Sequence, residues 1–232
     1  MKKNTYLLCL LLAASVLFTS CRDRNDDEPD DNTPYISSSL DGVVINGVRW
    51  ATRNVDAPGT FAASPERAGM FFQWGKRTGW AATGSVTDWD NSRATSPYWT
   101  HVNDPCPPGW RIPTEQEFIS LSEATTGFTF DSWEWHQYLI RYSSRHRVEN
   151  WRNTGVNGLV LGVAPNFIFL PAAGERNWRN GTLEFAGILS YWSSTAYVDP
   201  FGSLWFTSTN GLGISIGSES SPGKSVRCVA DE

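Results

Sequence analysis

Residues able to act as nucleophiles or metal ligands are few: four cysteines and three histidines in 232 residues. Cys106 opens CPPGWRIPT, residues 106 to 114, hard against two prolines and a glycine. A cysteine so placed can be a nucleophile, a metal ligand or half of a structural cross-link. His101, His136 and His146 include no pair at i, i+4, no HExxH and no Cys/His zinc spacing. They read as surface or hydrogen-bonded core residues. The GxSxG elbow of a serine hydrolase does not occur. GLGISIG (211 to 217) is not a GxGxxG fingerprint, and its alternating pattern makes it a strand.

Oxygen donors offer the other route to chemistry. DWDNS (88 to 92) gathers Asp88, Asp90 and Asn91, ligands hard enough for calcium. As an EF-hand it fails, because Arg93 stands where the turn glycine belongs and Trp99 where the bidentate Glu would be. A polar turn whose Asx side chains bond their own backbone is the preferred reading. Asp88, Asp90 and Asn91 remain calcium candidates, and no other cofactor is expected. GERNWRNGT (174 to 182) is too polar to be core. A tryptophan flanked by amides and charges suits saccharide or protein recognition, the indole stacking while polar groups fix orientation. Glu175, Arg176, Asn177, Trp178 and Asn180 are the predicted ligand-binding residues. RYSSRHRVENWR (141 to 152) sets Arg141, Arg145, Arg147 and Arg152 against Glu149 and reads as a solvated helix face.

These residues sit in a chain with distinctive ends. Lys2 and Lys3 precede an apolar run from Thr5 to Phe18, fourteen residues, too short to cross a bilayer at about 1.5 Å each. Residues 1 to 20 therefore read as a secretory signal, and LFTSC resembles the lipobox of bacterial lipoproteins. That resemblance implies lipid attachment at Cys21, with Phe18 departing from the usual Leu. Residues 22 to 31 hold six acids against two arginines, so 21 to 39 reads as a solvated acidic tether. It also resembles the acidic export signal of Bacteroidetes surface lipoproteins, which implies anchoring to the outer membrane and exposure to the cell exterior. Most of the net charge of −5 lies in that tether. A folded part so close to neutral argues against a nucleic-acid partner. Its twelve tryptophans, all between Trp50 and Trp205, are expected to fill a core or line a binding face.

The elements that must position these residues follow from turn and cap signals. Asn46-Gly47 between VVI and VRW predicts a hairpin. Residues 56 to 104 read as short strands and long loops. Thr114 and Glu117 form a capping box, Phe118 and Leu121 share one face of the helix that follows, and Gly127 stops it. A second helix is predicted from Asp131, with Trp135, Leu139 and Tyr142 facing inward. NFIFLPAAG, LSYWSSTAY, SLWFTSTN, LGISIGS and KSVRCVA are predicted strands. The expected fold class is α+β, two helices with short antiparallel sheets and long loops.

INGVRWATRNV (45 to 55), MFFQWGKRTGW (70 to 80), DPCPPGWRIPTEQEF (104 to 118), FLPAAGERNWRNGTL (169 to 183), SYWSSTAY (190 to 197) and SVRCVAD (225 to 231) occur in this order. In that they resemble the Fibrobacter succinogenes major paralogous domain, over residues 40 to 232. The resemblance implies a C-type-lectin-like fold, distantly similar to the formylglycine-generating enzyme through RIPTEQEF. It also implies a surface or adhesion module with a glycan or protein ligand. APN (164 to 166) lacks the acid of the lectin EPN triplet. With Cys9 in the signal and Cys21 lipidated, Cys106 and Cys228 are left, and in an exported chain they are expected to pair. A catalytic pair of the formylglycine-generating kind needs two nearby cysteines late in the chain, so no enzyme is expected. A structural subunit of a surface or fimbria-like assembly is the other alternative.

Overall fold

The computed structural model describes residues 42–94, 96, 98–126, 148–197, 202–208, 213–218 and 221–231, all within the compact unit Ile36–Glu232. The signal segment, Cys21, the acidic tether, Gly127, the second helix expected from Asp131, Arg141, Arg145, Arg147, His136 and His146 lie outside the described residues.

The chain opens with β1 (Gly42–Ile45), β2 (Val48–Asn54), β3 (Met70–Phe72), β4 (Gly79–Ala81) and β5 (Trp110–Arg111), followed by α1 (Glu115–Thr126). It continues with β6 (Val148–Asn150), β7 (Asn157–Val163), β8 (Asn166–Pro171), β9 (Glu175–Arg176) and β10 (Leu183–Glu184). The last four strands are β11 (Leu189–Tyr197), β12 (Gly202–Ser208), β13 (Gly213–Ser218) and β14 (Arg227–Ala230). Among the described residues these strands form five antiparallel sheets, and α1 is the single α-helix. The main sheet runs β1-β2-β14-β5; β6-β7-β8 and β11-β12-β13 are three-stranded; β3-β4 and β9-β10 are pairs. The α+β expectation holds at this level.

Local signals explain the early elements. Asn46 and Gly47 take φ of 49° and 83°, the left-handed pair a two-residue turn needs, and Ile45 faces Val48 across it. The helix starts as the capping box predicts. Thr114 N donates to Glu117 Oε2 at 2.6 Å, and Glu117 N donates to Thr114 Oγ1 at 3.2 Å. Glu115 N is taken by Thr195 Oγ1 at 2.9 Å, which ties the helix start to β11. Glu117 also holds Arg111 through both carboxylate oxygens, at 2.9 and 2.6 Å.

The main sheet is covered on both faces, so β2 is buried at consecutive residues, Trp50 to Thr52, and again at Asn54, and does not simply alternate. On one face Trp50 packs with Phe118 and Leu121 of α1, Leu159 of β7, Leu170 of β8 and Tyr191 of β11. On the other, Ala51 joins Phe72, Trp74, Ile112 and Trp192. Cys106 and Cys228 lie in that second cluster and are joined as a disulfide, which answers the question CPPGWRIPT posed. Asp104 shapes the approach, its carboxylate accepting from Cys106 N at 2.8 Å and Ile112 N at 3.0 Å. The cross-link joins residues 122 apart. Replacing both cysteines with alanine should therefore lower unfolding free energy by about 4–5 kcal/mol on the chain-entropy account. Urea unfolding of the paired and unpaired forms measures it, and equal midpoints would contradict it.

Candidate functional site

Arg176, expected at the surface, is inside: it is 1 % exposed. Its backbone pairs with Gly223, N to O at 2.7 Å and the reverse at 3.0 Å, which aims the side chain into the gap between two loops. There the guanidinium donates to three carbonyls. Nε and Nη2 reach Ala81 O at 3.0 and 2.6 Å, Nη2 reaches Thr83 O at 3.1 Å, and Nη1 reaches Gly181 O at 2.9 Å. Burial lowers its pKa from the usual guanidinium range, yet a guanidinium stays protonated in proteins. A charge enclosed by oriented carbonyl dipoles needs no carboxylate partner. Arg176 thus cannot touch a ligand. It joins the segment after β4 to the β9–β10 turn.

Trp89 completes the join. Its ring lies 4.7 Å from that of Trp80, and its Nε1 donates to Trp178 O at 3.1 Å. Gly181 lies flat against it, with φ of 69°, and a Cβ there would stand 2.7 Å from the Trp89 ring. Only glycine satisfies both demands. DWDNS and GERNWRNGT, about ninety residues apart in sequence, are therefore one surface in space.

The β9–β10 turn is rigid from within. Asn177 N donates to Thr182 O at 2.8 Å and Gly181 N to Asn177 O at 2.9 Å. Asn177 Oδ1 accepts from Arg179 N at 2.7 Å, while its Nδ2 donates to Glu184 Oε1 at 2.9 Å. Asn180 Oδ1 accepts from Thr182 N at 3.1 Å and Thr182 Oγ1 at 2.9 Å, leaving its amide nitrogen outward on an exposed residue. Glu175 turns inward, accepting from Ser190 Oγ at 2.7 Å and from the Lys224 ammonium. Trp178 is half-buried, and the exposed Arg179 lies over its ring at 4.6 Å. Of the predicted ligand residues, Glu175 and Arg176 are scaffold, Asn177 is mainly turn architecture, Trp178 is half-buried and Asn180 is exposed. Arg179 was not among them. Its place in the sequence, directly after Trp178, is the one hint available.

The calcium candidates do not converge on a shared cation. A lysine ammonium fills that role: Lys76 Nζ lies 2.7 Å from Asp90 Oδ2, 2.8 Å from Ser92 O and 2.9 Å from Ser92 Oγ. Asp90 Oδ1 accepts from Ser92 N at 2.9 Å, the Asx turn expected. Asp88 takes φ of 58°, and it and Asn91 are exposed. Among the described residues no three His, Cys, Asp or Glu stand close enough to hold a metal. His101 is exposed in a short 3-10 turn, His101–Asn103, with Tyr98 and Val102 exposed beside it. Leu183 and Phe185 are also exposed, on the β9–β10 hairpin, Phe185 at φ 54°. Among the described residues no helix is long and apolar enough to cross a membrane. Comparison with family models, curated proteins and solved structures finds no match for the chain.

Two expectations follow. Hydrogen bonds from Lys76 and Ser92 hold the Asp90 carboxyl down at about 2, against an ordinary 3.8. The stability this carboxylate contributes is present above the ordinary value and is lost as pH falls through about 2. A carboxyl-carbon NMR titration should find that midpoint, and one near the ordinary value would refute the Lys76 contact. Replacing Arg176 with Met removes hydrogen bonds to three carbonyls, that of buried Gly181 and those of exposed Ala81 and Thr83, and should cost about 2 kcal/mol. Urea unfolding would read it, together with a change in the emission of Trp89 as the two loops part.

Proposed function

We propose that the protein is a non-catalytic, lipid-anchored binding or adhesion module with a C-type-lectin-like fold, exposed at the outer-membrane surface. It is a relative of the Fibrobacter succinogenes major paralogous domain. The proposed attachment point is Cys21. The ligand is a glycan, met by the surface that the 83–92 loop and the 177–182 turn build together. What carries the reading is the fusion of those two loops around Arg176 and Trp89. A face fixed in advance loses little entropy when it binds, and this one presents an indole, an amide and a guanidinium, the groups that stack on and orient a sugar.

The rival enzyme reading rested on free thiols at Cys106 and Cys228, and these are bonded to one another. The C-type-lectin-like assignment rests on the order of the matching segments and is compatible with strand-rich α+β architecture. Calcium has no part in this proposal, since the Asp90 oxygens already hold an ammonium. Exposed Leu183 and Phe185 on the same hairpin favour a second reading, a protein neighbour in a surface assembly.

A glycan array probed with the full chain in detergent, with and without calcium, tests the first reading. Discrete sugars should bind equally well in both conditions, and Trp178→Ala should reduce that binding at least about tenfold. An array that stays blank, alongside co-purification of a surface protein released by Leu183→Asp, would establish the second reading instead.

A further inference from the structure

Arg179 sets the chemistry of the ligand. Its guanidinium carbon lies over the Trp178 ring, 4.6 Å from the centroid. A ring contact spends none of the guanidinium's N–H donors, and these form a planar fork matched to a carboxylate. Among the described residues no acid is paired with it. The nearby acids are committed: Glu184 receives Asn177 Nδ2, Glu175 receives Lys224 and Ser190, and Asp90 receives Lys76. Asp88 is exposed on the loop that carries Trp89, and carboxylate oxygens suit sugar hydroxyls.

The fork is also held in place at its root. Arg179 N donates to Asn177 Oδ1 at 2.7 Å, and the turn that carries it is closed by Gly181 N on Asn177 O at 2.9 Å. Trp178 in turn is fixed through its carbonyl by Trp89. An ordinary surface arginine samples many rotamers; this one has a stacking platform and a rigid backbone, so less entropy is lost when its edge is engaged. Beside it are the Asn180 amide and the indole edge, neutral groups suited to a sugar ring and poorly suited to a phosphate.

We infer that the surface recognises a carboxylate-bearing saccharide, of the uronic- or sialic-acid class, with the acid held bidentately by Arg179 and the ring against Trp178. This rests on the glycan-binding reading above. The acid would add about a tenfold preference over the same sugar without its carboxylate. Because one exposed ion pair contributes to it, that preference should shrink as salt rises.

The test is calorimetric titration of the full chain in detergent with paired ligands. An oligogalacturonate is compared with its carboxyl-reduced form, and a sialylated lactose with lactose. At least one acid should bind about tenfold more tightly than its neutral twin at low salt, with the difference shrinking at high salt. Arg179→Lys keeps the charge and removes the fork, and should lower the affinity for the acid about tenfold at an unchanged melting temperature. If acids and neutral twins bind alike, or the Lys variant keeps full affinity for the acid, the carboxylate assignment falls and the glycan reading stands. If no member of either pair binds and the array is blank, both fall together.

Discussion

The segment Ser221 to Val229 is buried at every residue, and each of the five sheets of the described residues hydrogen-bonds to it. Ser221 O accepts from Gln73 at 2.7 Å, and Gly223 pairs with Arg176 of β9. Lys224 exchanges backbone bonds with Phe72 of β3, both 2.9 Å. Ser225 N donates to Ser190 O of β11, while Arg227 reaches Phe169 O of β8 at 2.9 Å. Val226 O receives Val55 N, and the strand then runs between β2 and β5. Sheets this small do not stand alone in water. The final segment is the common element that joins five of them, and the bond from Cys228 to Cys106 ties it to the loop before β5, on the face of the main sheet away from α1.

That arrangement places cations where hydrophobic residues usually go. Arg176, Lys224 and Arg227 are all at or below 1 % exposure. Arg227 is met by Asn54 Oδ1 and by the Ala51 and Phe169 carbonyls, and Arg176 by three further carbonyls. Lys224 faces Glu175, with the Trp192 ring 5.1 Å away; burial lowers its pKa while the carboxylate opposes that shift. Burying a charge is costly unless every donor finds an acceptor. For Arg176 the acceptors are carbonyls of one strand end and two loops, and for Arg227 they are a side-chain oxygen and two carbonyls within β2 and β8. The Arg176 guanidinium takes over the work of missing backbone partners, which is how long irregular stretches are kept in register without secondary structure.

This also separates what was legible in the sequence from what was not. Signals that act over a few residues were readable: the Asn46-Gly47 turn, the Thr114–Glu117 box and the short apolar run that forms β8. The disulfide was readable because few cysteines remained to choose from. GERNWRNGT reads as too polar for the core, but its polarity could not say which side chains turn inward. An arginine bound to carbonyls of residues 81 and 83 has the same local sequence as one bound to water. Glu175 turns inward to Lys224, 49 positions away, a pairing that no local pattern signals. The acids of DWDNS looked like cation ligands; Asp90 is one, but its cation is the side chain of Lys76.

The tryptophans show the same division between inside and outside. Trp50 and Trp192 are fully buried and belong to the two clusters that cover the main sheet. Trp99 rests on Trp74 at 5.0 Å, and Trp89 rests on Trp80 at 4.7 Å, so the stretch after β4 is pinned at two points by flat apolar faces. Each pin also spends its indole N–H on a loop carbonyl, Asn103 O for Trp99 and Trp178 O for Trp89. A loop held this way needs neither a metal nor a ligand to acquire its shape. Trp178 differs in that its carbonyl is the anchored part, while its ring is turned to an exposed arginine. The fold thus fixes the backbone of this residue from inside and sets its half-buried ring under an exposed guanidinium.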